Sequence, residues 1–176
     1  MKLPRVLRRL TGRDGLPERF AGTLDADERV LAVAEVAGRD AHLVATSTGL
    51  WLPTDDTPRR VGWHLVSKAT WQHGALVLIE ATEAEEVDGA VLLTDLPAVR
   101  WRLSDPGRVP EVVHQRVTGS IRSRHHRELP GGGAWFVQRK VAGRDGIVLQ
   151  VRPDPGTDAD TVRRVAGAVA RATGLG

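Results

Sequence analysis

The chain has 176 residues, of which 41% are hydrophobic and 27% charged, a composition typical of one globular domain or of one domain with a small appendage. It contains no cysteine, which excludes disulfides, thiolate metal sites, iron–sulfur clusters and cysteine nucleophiles, and which fits a reducing, cytoplasmic compartment. No apolar run is long enough for a transmembrane helix, and the first ten residues lack the apolar core of a secretory signal.

Charge is distributed unevenly along the chain. The net charge is +4 over residues 1–19, −8 over residues 20–99 and +7 over residues 100–176. Two interpretations remain open. Either the acidic and basic parts face each other inside the folded protein, or the basic part forms a face for an acidic partner.

Residues 1–27 are predicted to be an N-terminal segment of helix and loop. Residues 1–10 carry apolar and basic side chains on opposite sides of a possible short helix. Such a helix either docks on the domain or makes peripheral contact with a membrane surface. Turn-forming residues then dominate residues 11–28.

Strand-like runs begin after residue 28. Residues 30–37 and 41–46 flank a glycine-containing turn and predict a β-hairpin. Acidic residues 83–88 are predicted to be a loop or a sheet edge. About seven or eight strands, spaced roughly ten residues apart, indicate a barrel or a sandwich. The further predicted strands are 50–52, 60–63, 64–71, 75–80, 90–94 and 99–103.

The apolar period then changes to that of a helix, predicted over residues 105–124. Asp105 is the expected N-cap and Pro106 lies in the first turn. The apolar face repeats every four residues at Val109, Val113, Val117 and Ile121. Glycines 131–133 end this segment and are interpreted as a flexible connector.

Residues 131–176 are predicted to form a C-terminal extension of a hairpin and a helix. The hairpin strands are residues 134–141 and 147–151, around a turn rich in glycine. Thr157 and Asp160 are spaced like a capping box at the start of the last helix, which we expect to end near Thr173.

Residues 43–52 read as a strand that ends in threonine, a turn and a returning apolar strand, and Trp63, Val66 and Trp71 follow. This pattern resembles bacterial pleckstrin-homology-like barrels related to GRAM domains, over about residues 28–124. The resemblance implies an α+β fold, in which residues 28–127 form an antiparallel β-barrel or split barrel closed by the helix. The C-terminal hairpin and helix would pack on that barrel.

The resemblance also implies binding of lipids, peptides or proteins and not catalysis. Phosphoinositide binders of this kind carry several basic residues around the first hairpin, whereas this chain has only Arg39 there. Binding of inositol phosphates is therefore not expected. The predicted function is that of a non-enzymatic binding or scaffold module for a protein or peptide.

Basic residues of the last third are the candidate binding site for an anionic partner. The densest cluster, residues 122–127, is also explained by the end of the predicted helix, where cations stabilise the helix dipole. If the partner is nucleic acid or the ribosome, affinity would fall steeply with salt. Anionic lipid is a further alternative. The candidate residues are Arg116, Arg122, Arg124, Arg127, Arg139 and Lys140.

No catalytic residue, cofactor or metal site is predicted. His125 and His126 are adjacent, and no third ligand stands at a suitable spacing. Glycines 131–133 lack the lysine that follows in a phosphate-binding loop. The sequence also lacks the common hydrolase and zinc-protease motifs.

Overall fold

The computed structural model describes residues 15–175, so the predicted helix of residues 1–10 lies outside the described residues. Within the described range, eleven strands and two helices form an α+β fold built mostly of antiparallel sheet. The first six strands are β1 Val30–Val36, β2 His42–Thr46, β3 Gly49–Leu52, β4 Arg59–Gly62, β5 Val66–Gln72 and β6 Ala75–Val87. The remaining elements are β7 Ala90–Asp95, β8 Val99–Asp105, α1 Val109–Ser120, β9 Ile121–Leu129, β10 Gly132–Lys140, β11 Ile147–Pro153 and α2 Ala159–Thr173.

One long strand, β6, joins the two halves of the molecule. Strand β6 has 13 residues and pairs with β7 from Val87 back to Ala81, then with β8 from Leu78 back to Ala75. Strands β7 and β8 therefore act as one interrupted partner of β6. Because β8 also pairs with β1, and β7 also pairs with β11, one sheet extends from the first half of β6 and a second sheet from its second half.

The first sheet is wholly antiparallel, in the order β4-β3-β2-β1-β8-β6-β5. Alternate side chains of its strands point to one face, where α1 covers them. Val109 and Val113 of α1 are fully buried there, against side chains such as Leu43, Leu50 and Leu78. Burial of this apolar surface is the main stabilising contribution to this half of the molecule.

A buried carboxylate ties the segment before β1 to the first sheet. Glu28 is 2% exposed and accepts hydrogen bonds from Thr46 Oγ1 at 2.5 Å and Trp51 Nε1 at 2.9 Å. Its other oxygen lies 2.5 Å from Arg60 Nη1. Burial raises the pKa of Glu28, but the hydrogen bonds outweigh that effect and hold the pKa below its ordinary value.

The second sheet has the order β6-β7-β11-β10-β9, and α2 covers one of its faces. The pairing of β7 with β11 is parallel and the other pairings are antiparallel. Phe136, Leu149 and Ala166 belong to the apolar core between this sheet and α2. Asp158, and not Thr157, caps α2: its side chain accepts a hydrogen bond from the Thr161 amide at 2.9 Å.

The prediction of a closed barrel is wrong, because the sheet is open. Its path runs from β4 to β9, and no ladder within residues 15–175 joins these two ends. Strand β1 pairs with β8 at only two positions. The second half of β6 then continues away from the first sheet into the second, so the strands do not return to close a cylinder.

The predicted helix of residues 105–124 is wrong at both ends. Asp105 ends β8, Arg108 is the N-cap of α1, and α1 stops at Ser120. Residues 121–129 form β9, which pairs with β10 along nearly its whole length. Of the two alternatives for the acidic residues 83–88, a loop is wrong and a sheet edge is right, because residues 83–87 belong to the part of β6 that pairs only with β7.

Glycines 131–133 also differ from the prediction of a flexible connector. Gly131 lies in the turn between β9 and β10, whereas Gly132 and Gly133 begin β10 and pair with Leu129 and Glu128. Gly131 and Gly132 also pack against the segment that precedes α2. A Cβ at Gly131 would lie 2.4 Å from the carbonyl oxygen of Gly156. The boundary between residues 28–127 and 131–176 stays a prediction, although β7 and β9 from the earlier segment share the second sheet with β10 and β11.

Candidate functional site

Two side chains of the second sheet hold it against the first. Arg139 of β10 is 2% exposed and donates hydrogen bonds to Ser120 Oγ at 2.7 Å, to the His64 carbonyl at 3.1 Å and to the Val66 carbonyl at 3.2 Å. Gln150 of β11 donates to the same His64 carbonyl at 2.8 Å. These bonds satisfy carbonyl groups just before and at the start of β5 and fix the angle between the two sheets.

A cleft of about 820 Å³ lies beside this joint. One wall is formed by β5 and β6, and the other by the face of the second sheet that is opposite α2. Ala134 and Phe136 face α2, so the intervening Trp135 and Val137 face the cleft. The apolar lining side chains are Ile79, Leu93, Ile121, Trp135 and Val137, with Pro153 and Pro155.

Trp135 lies in the middle of the charged part of the cleft. The guanidinium carbon of Arg124 is 4.0 Å from the centre of its ring, a close cation–π contact. His126 contacts the same ring edge-on at 5.0 Å between centroids, and its Nε2 lies 2.7 Å from Asp154 Oδ2. The ring therefore fixes where Arg124 and His126 lie.

Arg152 is opposite Trp135 on the neighbouring strand, and its side chain is 21% exposed. Its Nε is 3.3 Å from Asp95 Oδ1, close enough for an ion pair but not aligned for a hydrogen bond, and this buried Nε–H has no hydrogen-bond acceptor among the described residues. Asp95 also accepts a hydrogen bond from Ser67 Oγ.

The arginines of the cleft are close enough to repel one another. Burial, together with a smaller effect of the charge of Arg152, lowers the pKa of Arg139 to about 10. Burial also lowers the pKa of Arg152, Asp95 partly offsets this, and Arg124 adds to the lowering. Both guanidiniums remain charged at neutral pH, so the repulsion persists.

Positive charge is in excess in the cleft. Four cationic side chains line it against two carboxylates, so the net charge is about +2. Among residues 15–175, no ion pair involves Lys68 or Arg124. A concave site with unpaired cations at its surface attracts anions and raises their local concentration. The charged lining residues are Lys68, Asp95, Arg124, Arg139, Arg152 and Asp154.

The structure brings two of the six sequence-predicted residues to this cleft. Arg124 is exposed at its surface, whereas Arg139 is buried and engaged with carbonyl groups. The other four are exposed but do not line the cleft: Arg116 on α1, Arg122 and Arg127 on β9, and Lys140 at the end of β10. Since β9 is a strand, the helix dipole does not explain the cluster at residues 122–127.

Sequence reasoning missed Lys68, Trp135 and Arg152 as site residues. A signal existed for two of them, because the predicted hairpin around residues 143–146 places Trp135 directly opposite Arg152. Lys68 lies on β5, far away in the sequence. Nothing local connects it with the second sheet.

Acidic and basic parts of the chain face each other in only part of the basic segment. Arg163 of α2 lies 2.7 Å from Glu85, and Arg171 pairs with Asp88, so α2 does face the acidic end of β6. The basic residues of β9 have no such carboxylate partners among the described residues, apart from His126 with Asp154.

Within the described range, no group of three or more histidine and acidic side chains is arranged to hold a metal ion. His125 and His126 are successive residues of β9 and point to opposite faces. None of the helices that the structure describes is long and apolar enough to cross a membrane. Comparison with protein-family models, with curated proteins and with solved structures gives no match for this chain.

Proposed function

We propose that the protein is a non-enzymatic binding module that takes an acidic segment of a partner protein into the cationic cleft. The observation that carries this proposal is the excess of cationic side chains in a concave site whose walls are otherwise apolar. Apolar walls bury the side chains of a bound segment, and the cations select its charge.

A protein segment suits the cleft better than nucleic acid. The face of Trp135 is covered by Arg124, so it is not free to stack on a base. A concave site is equally unsuited to the flat surface of a bilayer.

The pairing of the ionisable groups supports a binding role over a catalytic one. Asp95 is engaged by Arg152 and Ser67, and Asp154 by His126. A general base needs a lone pair that is free to reach a substrate proton. The carboxylate of Asp95 is already used to hold Arg152, and that of Asp154 to hold the His126 ring.

The relation to pleckstrin-homology-like domains is part of the same proposal. The first sheet, whose seven antiparallel strands all lie within residues 28–124, has one helix over its core, and this arrangement supports the relation. We also propose a cytoplasmic location, for which the absence of cysteine is the support.

The test is a titration of the ¹⁵N-labelled full chain with a deca-glutamate peptide, followed by NMR at two salt concentrations. We expect shifts of the Trp135 indole N–H and of β9 amides, and weaker binding at higher salt. The double variant Lys68→Gln/Arg124→Gln should lose most of the binding. The matched control Arg164→Gln, an exposed change on α2 on the other side of the sheet, should not.

Deca-lysine, a single-stranded RNA of ten nucleotides and vesicles containing phosphatidylserine are titrated in parallel. Tighter binding of the RNA or the vesicles than of deca-glutamate, lost in the same double variant, would replace the proposed partner by nucleic acid or membrane. Equal binding of deca-glutamate to the double variant and to the wild type would refute the role of the cleft.

A further inference from the structure

The cleft contains an unsatisfied donor as well as unpaired charge. The Nε–H of Arg152 is buried and has no acceptor among the described residues. Arg152 is the residue of β11 that pairs with Trp135 of β10. Buried donors without acceptors are rare in folded proteins, because each costs the free energy of its lost hydration. A ligand oxygen in the cleft would remove this cost.

Arg124 and Arg152 are arranged around Trp135 on the same face of the second sheet. They stand on the strands that flank β10, with Arg152 opposite Trp135 and Arg124 opposite Val137. Neighbouring strands are about 4.8 Å apart and two residues advance about 6.7 Å along a strand, so the two arginines start from points roughly 12 Å apart. Their long side chains can therefore reach a single group between them, and Arg124 already extends over the Trp135 ring.

The net positive charge of the cleft matches the charge of a dianion. Four cations and two carboxylates leave about two positive charges. Of the four cations, only Arg152 lies within ion-pair distance of a carboxylate, that of Asp95, so Lys68, Arg124 and the buried Arg139 have no carboxylate partner among the described residues. Asp154 lies beside His126 and supplies the second negative charge of the cleft. One carboxylate ligand would neutralise half of this excess, whereas a phosphomonoester would neutralise all of it.

We infer that the group recognised in the cleft is a phosphomonoester dianion, bound by Arg124 and Arg152 with Lys68 on the opposite wall, and that a phosphorylated side chain of the partner segment carries it. This inference rests on the proposed function. Planar guanidinium groups bind phosphate through paired N–H···O bonds, which makes arginine suited to the task. The cleft of about 820 Å³ leaves room for the residues on both sides of the phosphorylated one.

A repulsive cluster of guanidiniums gives such a ligand a further advantage. Burial is the main cause of the lowered pKa values of Arg139 and Arg152, and neighbouring guanidiniums add to it: Arg152 for Arg139, and Arg124 for Arg152. A bound dianion should therefore also stabilise the folded protein, in proportion to its concentration over its dissociation constant.

The experiment compares N-acetyl-O-phosphoserine methylamide with N-acetylglutamate methylamide by NMR titration of the full chain at pH 7.5. We expect the phospho compound to bind at least tenfold more tightly. Arg124→Gln should weaken its binding about tenfold, and Arg164→Gln should leave it unchanged. Arg152→Gln is a second variant, valid only if its spectrum remains that of a folded protein.

The ionisation of the phosphate provides an independent readout. Its second pKa is about 6, so lowering the pH from 7.5 to 5.0 should reduce affinity about tenfold. Inorganic sulfate stays a dianion over this range and therefore reports any pH effect that comes from the protein alone. A parallel loss for sulfate would assign the pH effect to the protein and overturn the evidence for a dianion.

The outcomes separate this inference from the proposed function. If the glutamate compound binds as tightly as the phospho compound, the phosphate is refuted and the acidic segment stands. If neither the two compounds nor deca-glutamate binds, both proposals fail. A nine-residue Gly/Ser peptide with one central phosphoserine should bind more tightly than the single residue, and equal affinity would refute a protein segment as the source of the phosphate.

Discussion

Replacing Arg139 by methionine tests whether its hydrogen bonds hold the two sheets together. Methionine keeps most of the side-chain length but removes the donors to Ser120 and to the carbonyls of His64 and Val66. At about 2 kcal/mol for each bond to a charged group, the loss is roughly 6 kcal/mol. The substitution also removes the cost of burying the charge.

That cost can be read from the pKa, which falls from 12.5 to about 10. At 1.36 kcal/mol per pKa unit, burial of the charged group and its repulsion by Arg152 together cost about 3 kcal/mol. The net expectation is therefore that Arg139→Met lowers the free energy of unfolding by about 3 kcal/mol, well below the gross value of its bonds.

Urea unfolding followed by circular dichroism measures this change as a lower midpoint with an unchanged slope. Lys140→Met, at the exposed neighbouring position, is the control and should change stability by less than about 0.5 kcal/mol. An Arg139→Met variant as stable as the wild type, or more stable, would refute the reasoning. The bonds to the carbonyls would then contribute no more than the burial of the charge costs.

Further expectations concern single buried or strained positions. Because the pKa of Glu28 is lowered on folding, its contribution to stability is present above its ordinary pKa of 4.5 and is lost as the pH falls below it. Glu28→Gln should flatten the acid limb of a pH–stability curve, and an unchanged limb would exclude Glu28 as its source. Burial lowers the pKa of His64, so the folded protein should lose stability as the pH falls below 6.5. His64→Gln should remove that loss in thermal unfolding at pH 7.5 and 5.5, whereas the exposed His114→Gln should not. Gly131 has φ +85 and faces the Gly156 carbonyl, while Gly143 has φ +79 and open space around it. Gly143→Ala should cost about 1 kcal/mol for backbone strain alone, and Gly131→Ala clearly more in chemical denaturation. Equal costs would mean that the turn shifts to accommodate the added methyl group.

The hairpins were predictable from local sequence. The hairpin of β1 and β2 and that of β10 and β11 are confirmed by their ladders. In both, short glycine-containing turns separate runs with enough β-branched or apolar residues to specify a strand. Such signals are local, so no knowledge of the rest of the fold is needed.

Strand β9 shows where local reasoning fails. Both faces of its central residues are exposed, so the sequence Arg122 to Arg127 has no apolar alternation to detect. Its conformation is set by the ladder with β10, which supplies the backbone partners. The helix predicted from the preceding residues therefore continues into β9, because no side chain marks the change from helix to strand.

The residues of the candidate site were likewise predictable only in part. Arg124 and Arg139 were found because they belong to a basic stretch of sequence. Their different roles, one exposed over Trp135 and one buried against carbonyl groups, depend on alternation within the sheet and on β5. The second wall of the cleft comes from residues that only the joint between the sheets brings near.

The parallel pairing of β7 with β11 has a consequence for how the protein is made. In a nascent chain, β7 leaves the ribosome many residues before β11, and its outer edge has no partner until then. The apolar side chain of Leu92 is buried against α2, so it stays exposed until α2 has been synthesised as well. The first sheet gains its last bonds at His64 and Val66 only when Arg139 and Gln150 have been added. The first sheet therefore cannot complete its hydrogen bonds until β10 and β11 have been synthesised. Such long-range contacts favour slow folding.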